Sequence, residues 1–184
     1  MDAMAERAGG LASERMYELP EADGPARPGV RLRIYDRSTR LAEIRAVYRS
    51  RLRVSERTPI RCGRDAAEYL RKIWHRDRLE FVEDCFIVCL NTASEALGWV
   101  RISSGGLSAS VVDPRVVFAI ALQTASSALI LAHNHPSGGP EPSPEDVVLT
   151  KRLAEAGQLL AIRVVDHIIL TKDGYYSFEE SGRL

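Results

Sequence analysis

Apolar and polar residues alternate from Val30 to Asp36, with Val30, Leu32 and Ile34 on one side and Arg31 and Arg33 on the other. That pattern predicts a half-buried strand. It returns over Arg45–Val54, where Tyr48, Leu52 and Val54 oppose Arg49, Arg51 and Arg53, and the two segments are expected to pair as a hairpin. The period then changes. Ala67, Leu70, Ile73 and Trp74 stand at helical spacing and predict a helix over Arg64–Trp74. Cys85–Leu90 and Ala96–Ile102 read as buried or half-buried strands, followed by the turn-rich Ser103-Ser104-Gly105-Gly106. Asp113-Pro114 marks a helix start, because Asp supplies a capping oxygen and Pro fits the first helical position. Val116–Ala128 is apolar nearly all round, so this helix is expected to be buried. Ala128–Ala132 is a short apolar strand, and Ser143-Pro144 opens a further helix running to about Ala156-Gly157. Ile162–Thr171 is an apolar strand, and Asp173-Gly174 turns the chain into Tyr175–Phe178. Strands and helices mix without strict alternation, which predicts a mixed α/β fold with helices packed on a mixed sheet.

Composition leaves this picture intact. The 184 residues are 45% hydrophobic and 27% charged, values suited to a globular domain with extra elements. No apolar run approaches the roughly 20 residues of a membrane helix. The N-terminal stretch Met1-Asp2-Ala3-Met4-Ala5-Glu6-Arg7 has early acids and no apolar core, so it does not read as a secretory signal, and a cytoplasmic protein is expected. Residues 1–29, with Gly9-Gly10, Pro20, Gly24-Pro25 and Pro28-Gly29, are expected to be a mobile leader. The three cysteines, Cys62, Cys85 and Cys89, have no C-x-x-C spacing and predict neither a disulfide framework nor a cysteine zinc site. Cys85 and Cys89 read as small core residues.

Charge divides the chain. Residues 27–78 hold 16 Lys and Arg against 6 Asp and Glu, while the rest holds 9 against 19. A basic block can mark a nucleic-acid surface. Pairing with the acidic remainder, within the chain or between copies, is the preferred reading, because no aromatic stacking pattern accompanies the arginines. Self-association is therefore an expected outcome.

The stretch His133–Asp146 carries the chemistry. Two histidines at i and i+2, ending a strand, point to one face and can hold one metal through ring nitrogens. A loop dense in Pro and Gly then turns the chain, and the next helix sets Asp146 in its first turn. Asp146 shares a stripe with Leu149 and Leu153, so it faces inward with them. Two His and one carboxylate leave a fourth tetrahedral position for water, the arrangement of a catalytic zinc. Read alone, Ser143-Pro144-Glu145-Asp146 is also a helix capping box, and a lone His-x-His is weak evidence. The ordered conjunction of strand, His-x-His-Pro, turn and Ser-x-x-Asp is what points to a metal site.

That string resembles the JAMM metalloprotease motif. With Ser137, Gly138, Pro142 and Thr150, and with Ser104-Gly105-Gly106, Val112-Asp113-Pro114-Arg115 and Asp166-His167-Ile168-Ile169, it resembles the RadC family over about residues 79–182. Full-length members usually carry an N-terminal helix-hairpin-helix-like segment, which is not legible here; the chain looks like a short member. The resemblance implies a JAB/MPN domain over residues 79–184, a cytidine-deaminase-like sheet between helices, with residues 30–78 as a basic accessory hairpin and helix. It implies a Zn2+-dependent peptide or isopeptide hydrolase with His133, His135 and Asp146 on the metal. It also implies a glutamate opening the strand that ends at Leu90-Asn91. Counting back gives Glu83, favoured over its neighbour Asp84, since adjacent strand residues face opposite ways. Glu83 is expected to act as general base and then proton donor, with the Ser143 hydroxyl stabilising the oxyanion. His167 reads as a core residue rather than a fourth ligand.

Two other functions compete: a nucleic-acid-associated repair accessory using the basic segment, and an interaction module with a structural metal. An HNH nuclease is disfavoured because its three letters lie in separate elements, and the cysteine-rich signature of a nucleobase deaminase is missing. The expected substrate is a peptide or protein whose identity the sequence leaves open.

Overall fold

The computed structural model describes residues 53–105 and 112–184. A 3-10 turn at Val54–Glu56 leads into α1 (Gly63–Ile73) and the short α2 (Arg76–Leu79). Then follow β1 (Asp84–Leu90), β2 (Ala96–Ser104), α3 (Pro114–Gln123), β3 (Ala128–Asn134), α4 (Pro144–Leu160), β4 (Arg163–Leu170) and β5 (Tyr175–Ser177). The strands form one sheet in the order β2-β1-β3-β4-β5. Only β3 and β4 are parallel, and α4 is the crossover between them.

Every residue of β1 and of β3 is buried, as central strands covered on both faces must be. Alternation assigns the faces. Phe86, Val88, Leu90, Ala128, Ile130, Ala132, Ile168 and Leu170 pack with Ala66, Ala67, Leu70 and Trp74 of the α1 segment. Cys85, Ile87, Cys89, Leu129 and Leu131 pack with Val117, Phe118 and Ala121 of α3 and Leu153 of α4. The sheet therefore lies between helices, as expected, and both strand cysteines are buried core residues.

Four sequence expectations change. The boundary at 78/79 does not separate two cores, because α1 and Ile60 bury their apolar residues directly against the sheet. The backbone of Ala96 also bonds to Thr58. The domain thus takes in residues from about 59. Of the strand expected over Arg45–Val54 only Arg53 and Val54 are described, and Val54 begins a 3-10 turn with 65% exposure. The leader, the Val30–Asp36 strand and the hairpin lie outside the described residues. Helix α3 stops at Gln123 and is not buried all round: Val116 and Leu122 are 45% and 57% exposed. Helix α4 runs three residues past Gly157 and ends at Ala161 in a left-handed conformation (φ 55°). Gly157 is needed there, because a Cβ would collide with the Ile162 carbonyl oxygen as the chain turns back into β4.

Candidate functional site

The C-terminal end of β3 carries His133, Asn134 and His135 in succession, and the pleat sends them to opposite faces. His133 is buried and lies across from Cys85 of β1, on the α3–α4 face. His135 follows the strand, its backbone N–H donating to the Leu170 carbonyl of β4 at 3.1 Å. The chain then turns at Gly138, in the left-handed region at φ 83°, and the loop delivers Ser143 to the start of α4.

Ser143–Asp146 forms the capping box and also brings the Asp146 carboxylate to the two histidines. Ser143 N–H and its hydroxyl donate to Asp146 Oδ2 at 2.8 and 2.7 Å, while Asp146 N–H donates to Ser143 Oγ at 3.1 Å. The other oxygen, Oδ1, lies 3.3 Å from His133 Nε2. His135 Nε2 is 3.0 Å from His133 Nε2 and 3.6 Å from Asp146 Oδ2. His133, His135 and Asp146 thus bring one donor atom each into a cluster within 4.8 Å.

The far side of each ring fixes what its Nε2 can do. His135 Nδ1 is 2.7 Å from the Gly139 carbonyl oxygen, which can only accept, so Nδ1 carries the proton and the neutral ring offers an Nε2 lone pair. His133 Nδ1 is 2.8 Å from His167 Nε2, and with its proton there it likewise offers a lone pair at Nε2. With both rings neutral in these tautomers, two ring nitrogens and a carboxylate oxygen face one another as acceptors, and among the described residues a proton or a metal ion on that point would pair them. A cation resolves such a cluster, and the donor set suits zinc. Tetrahedral zinc with ligands at 2.0–2.1 Å sets its donors roughly 3.3 Å apart, close to the separations found. The electrostatics agree. Hydrogen bonding with Asp146 raises the pKa of His135 despite burial, and Asp146 stays far below the usual carboxylate range because the histidines and Ser143 outweigh its burial. The pocket favours positive charge.

Glu83 stands one step before β1. The β1–β3 ladder opens at Cys85 opposite His133, two residues after Glu83. Glu83 is half-buried, and its charge adds to that of Asp146 in raising the pKa of His135. Asp84 faces the other way. It accepts from Arg78 Nε at 2.7 Å and Nη2 at 2.9 Å, and Arg78 Nη2 also reaches Ser104 Oγ at 2.6 Å. Asp84 is therefore engaged in an ion pair that leaves Glu83 as the carboxylate on the histidine side. Burial, compounded by Glu83, Asp146 and Asp84, pushes the Cys85 thiol up, and among the described residues the cluster at His133 does not include Cys85.

Sequence reading missed the framework behind these groups. Asn134 clamps the approach to β1: its Oδ1 accepts from Asp84 N–H at 2.8 Å, and its Nδ2 donates to the Leu79 and Val82 carbonyls at 2.8 and 3.0 Å. The signal available was a polar residue between two ligands on a buried strand. His167 lies outside the ligand cluster, fully buried and stacked on Phe178 at 4.7 Å between ring centroids. Burial lowers its pKa well below the ordinary value, so it is neutral. Ser143 uses its one hydroxyl proton on Asp146, which bears on any second task for it.

Among the described residues no helix is long and apolar enough to cross a membrane. Comparison with known proteins identifies the family. The sequence model of the RadC-like JAB domain matches residues 60–183. A UPF0758 protein of Alkaliphilus metalliredigens is 53% identical over 98 residues, covering 53% of this chain and 42% of that protein. One from Listeria innocua is 43% identical over 123 residues, 67% of this chain and 54% of its own length. One from Bacillus cereus is 39% identical over 136 residues, 73% and 58% respectively. The chain spans about half the length of the curated relatives it matches. With the family match reaching across both the acceptor cluster and the helix α1 that completes the core, the chain belongs to the RadC-like JAB domain family.

Proposed function

We propose that this chain is a zinc-dependent amide hydrolase of the JAMM type, cleaving a peptide or isopeptide bond. The observation that carries this reading is the convergence of His133 Nε2, His135 Nε2 and Asp146 Oδ1 as acceptors on one point, beside a half-buried glutamate. Zinc held by those atoms would supply Lewis acidity and lower the pKa of a water to near neutral. Glu83, on the His135 side, receives that proton as the water oxygen bonds to the substrate carbonyl carbon. When the carbon–nitrogen bond breaks, Glu83 returns the proton to the leaving nitrogen, giving a free amine and a carboxylic acid, whose proton passes to the amine or to solvent. The Ser143 hydroxyl is the candidate donor to the oxyanion. Its proton rests on Asp146 Oδ2 at 2.7 Å, so it must turn from Asp146 to do so. In the resting site Ser143 orients Asp146.

The test is a proteome-wide comparison of new protein N-termini and freed lysine side chains after exposure to the zinc-loaded wild type or to Glu83→Gln. Cleavages present with the wild type and lost in Glu83→Gln are expected. Equal cleavage by both proteins would contradict the reading.

A further inference from the structure

His133 is the most deeply buried of the proposed ligands, and it can serve a metal only in one of its two neutral tautomers. The atoms behind it form a directed chain. Thr150 stands one helical turn after Asp146 on α4, and its hydroxyl is 2.6 Å from the Asp146 carbonyl oxygen and 2.6 Å from His167 Nδ1. A carbonyl oxygen accepts only, so the single hydroxyl proton of Thr150 goes there. His167 Nδ1 must then be the donor to Thr150 Oγ1. A neutral His167 protonated at Nδ1 has a bare Nε2, and that atom is 2.8 Å from His133 Nδ1. Only a proton on His133 Nδ1 completes this contact, and it leaves His133 Nε2 free, 3.3 Å from Asp146 Oδ1. The chain of contacts starts at the backbone of one ligand and ends at the ring of another.

We propose that His167 is a positioning residue which, together with Thr150, fixes His133 in the tautomer and orientation that present a bare Nε2 to the metal. This rests on the zinc reading of the site and names what holds that site ready. His167 is suited to the task by its surroundings. It is buried on β4, beside β3 in parallel register, and Phe178 stacks on its ring, so it cannot swing away or exchange its partners for water. Gly139 gives His135 the corresponding partner, but from a loop carbonyl. His133, buried in the strand, takes its partner from the neighbouring strand. Such outer partners commonly govern metal affinity by 10- to 100-fold.

The test is the zinc affinity of metal-free protein, measured by competition with a chromophoric chelator, for the wild type, His167→Leu, Thr150→Val and Thr150→Ser. Circular dichroism and the unfolding midpoint of each metal-free variant record whether it is folded. We expect folded His167→Leu to bind zinc roughly 10- to 100-fold more weakly than wild type, and Thr150→Val roughly 3- to 10-fold more weakly. Thr150→Ser, which restores the hydroxyl, should return to within about twofold of wild type. A purely structural Thr150 would lower the unfolding midpoint in Thr150→Val without changing affinity, and that result overturns the proposal. So does wild-type affinity in folded His167→Leu. Should His167→Leu fail to fold, the Thr150 pair decides: equal affinities for Val and Ser overturn the proposal, and loss in Val with recovery in Ser supports it. Wild type that takes up no zinc would overturn the zinc reading as well, whereas zinc uptake insensitive to all three substitutions overturns this inference alone.

Discussion

Asn134 and its two histidine neighbours leave the same strand end for opposite faces of the sheet, and the two faces treat polar groups differently. On the α1 face, Asn134 donates to the Leu79 and Val82 carbonyls and accepts from Asp84 N–H, while Asp84 is held by two bonds from Arg78. Donors meet acceptors, and the region is closed. On the α4 face, the rear atom of each histidine ring has a protein partner, but among the described residues the front atoms meet one another and a carboxylate. Buried polar groups are ordinarily paired, so a cluster of acceptors without a donor marks a place kept for something else. The contrast separates scaffold from site within three consecutive residues. It also separates Glu83 from Asp84, neighbours of like charge that belong to different faces.

The largest expected effect tests that last division. Zinc-loaded Glu83→Gln should lose hydrolysis by a factor of roughly 10² or more, with unfolding midpoint and zinc content unchanged. Asp84→Asn should do the reverse. It weakens the bonds from Arg78 to a buried group and should destabilise the protein by about 1–3 kcal/mol in denaturant unfolding, while zinc remains bound. An inactive but stable Asp84→Asn beside an active Glu83→Gln would exchange the two roles.

Asn134→Ala sharpens the comparison further. It strands Asp84 N–H and two carbonyls near the start of β1. A loss of about 1–3 kcal/mol is expected, with zinc stoichiometry intact and hydrolysis reduced, because the segment carrying Glu83 loosens. Unchanged stability would show that the clamp is dispensable.

The smallest effect concerns pH. Burial would raise the Asp84 pKa, but the bonds from Arg78 and from Ser104 outweigh it and hold the group below the usual carboxylate range. A depressed folded value means that the stabilisation is fully present above the unfolded value, about 3.9, and is lost as pH falls from there through the folded value. Metal-free wild type should therefore lose more stability than Arg78→Met between pH 5 and acid unfolding, on the order of 1 kcal/mol in chemical denaturation series. Parallel curves would remove Asp84 from the account.

Much of this was legible in the chain, for identifiable reasons. The His133, His135 and Asp146 cluster was legible because the two histidines are two apart at a strand end and Asp146 follows a cap at fixed spacing, so local geometry brings them to one face. The strands from Cys85 onward and the start of α4 followed from periodicity and capping. What sequence could not supply was partnership across elements. His167 looked like an apolar-run residue, yet its two nitrogens bridge β3 and α4. Asn134 looked like a spacer, yet it reaches 50 residues back to Asp84. Helix α1 was read as accessory because the family resemblance was legible only from about residue 79, whereas Ala66, Ala67 and Leu70 belong to the core. The exposure of α3 escaped because an all-apolar helix need not have every face covered, as Val116 and Leu122 show.

The claim on which all of this depends is that the open acceptor cluster holds a metal. Elemental analysis of protein purified without chelator and then equilibrated with zinc tests it most directly, comparing wild type with the His133→Ala/His135→Ala double variant. The account predicts about one zinc per wild-type chain and close to none in the double variant. Stoichiometric zinc retained by a folded double variant would contradict it.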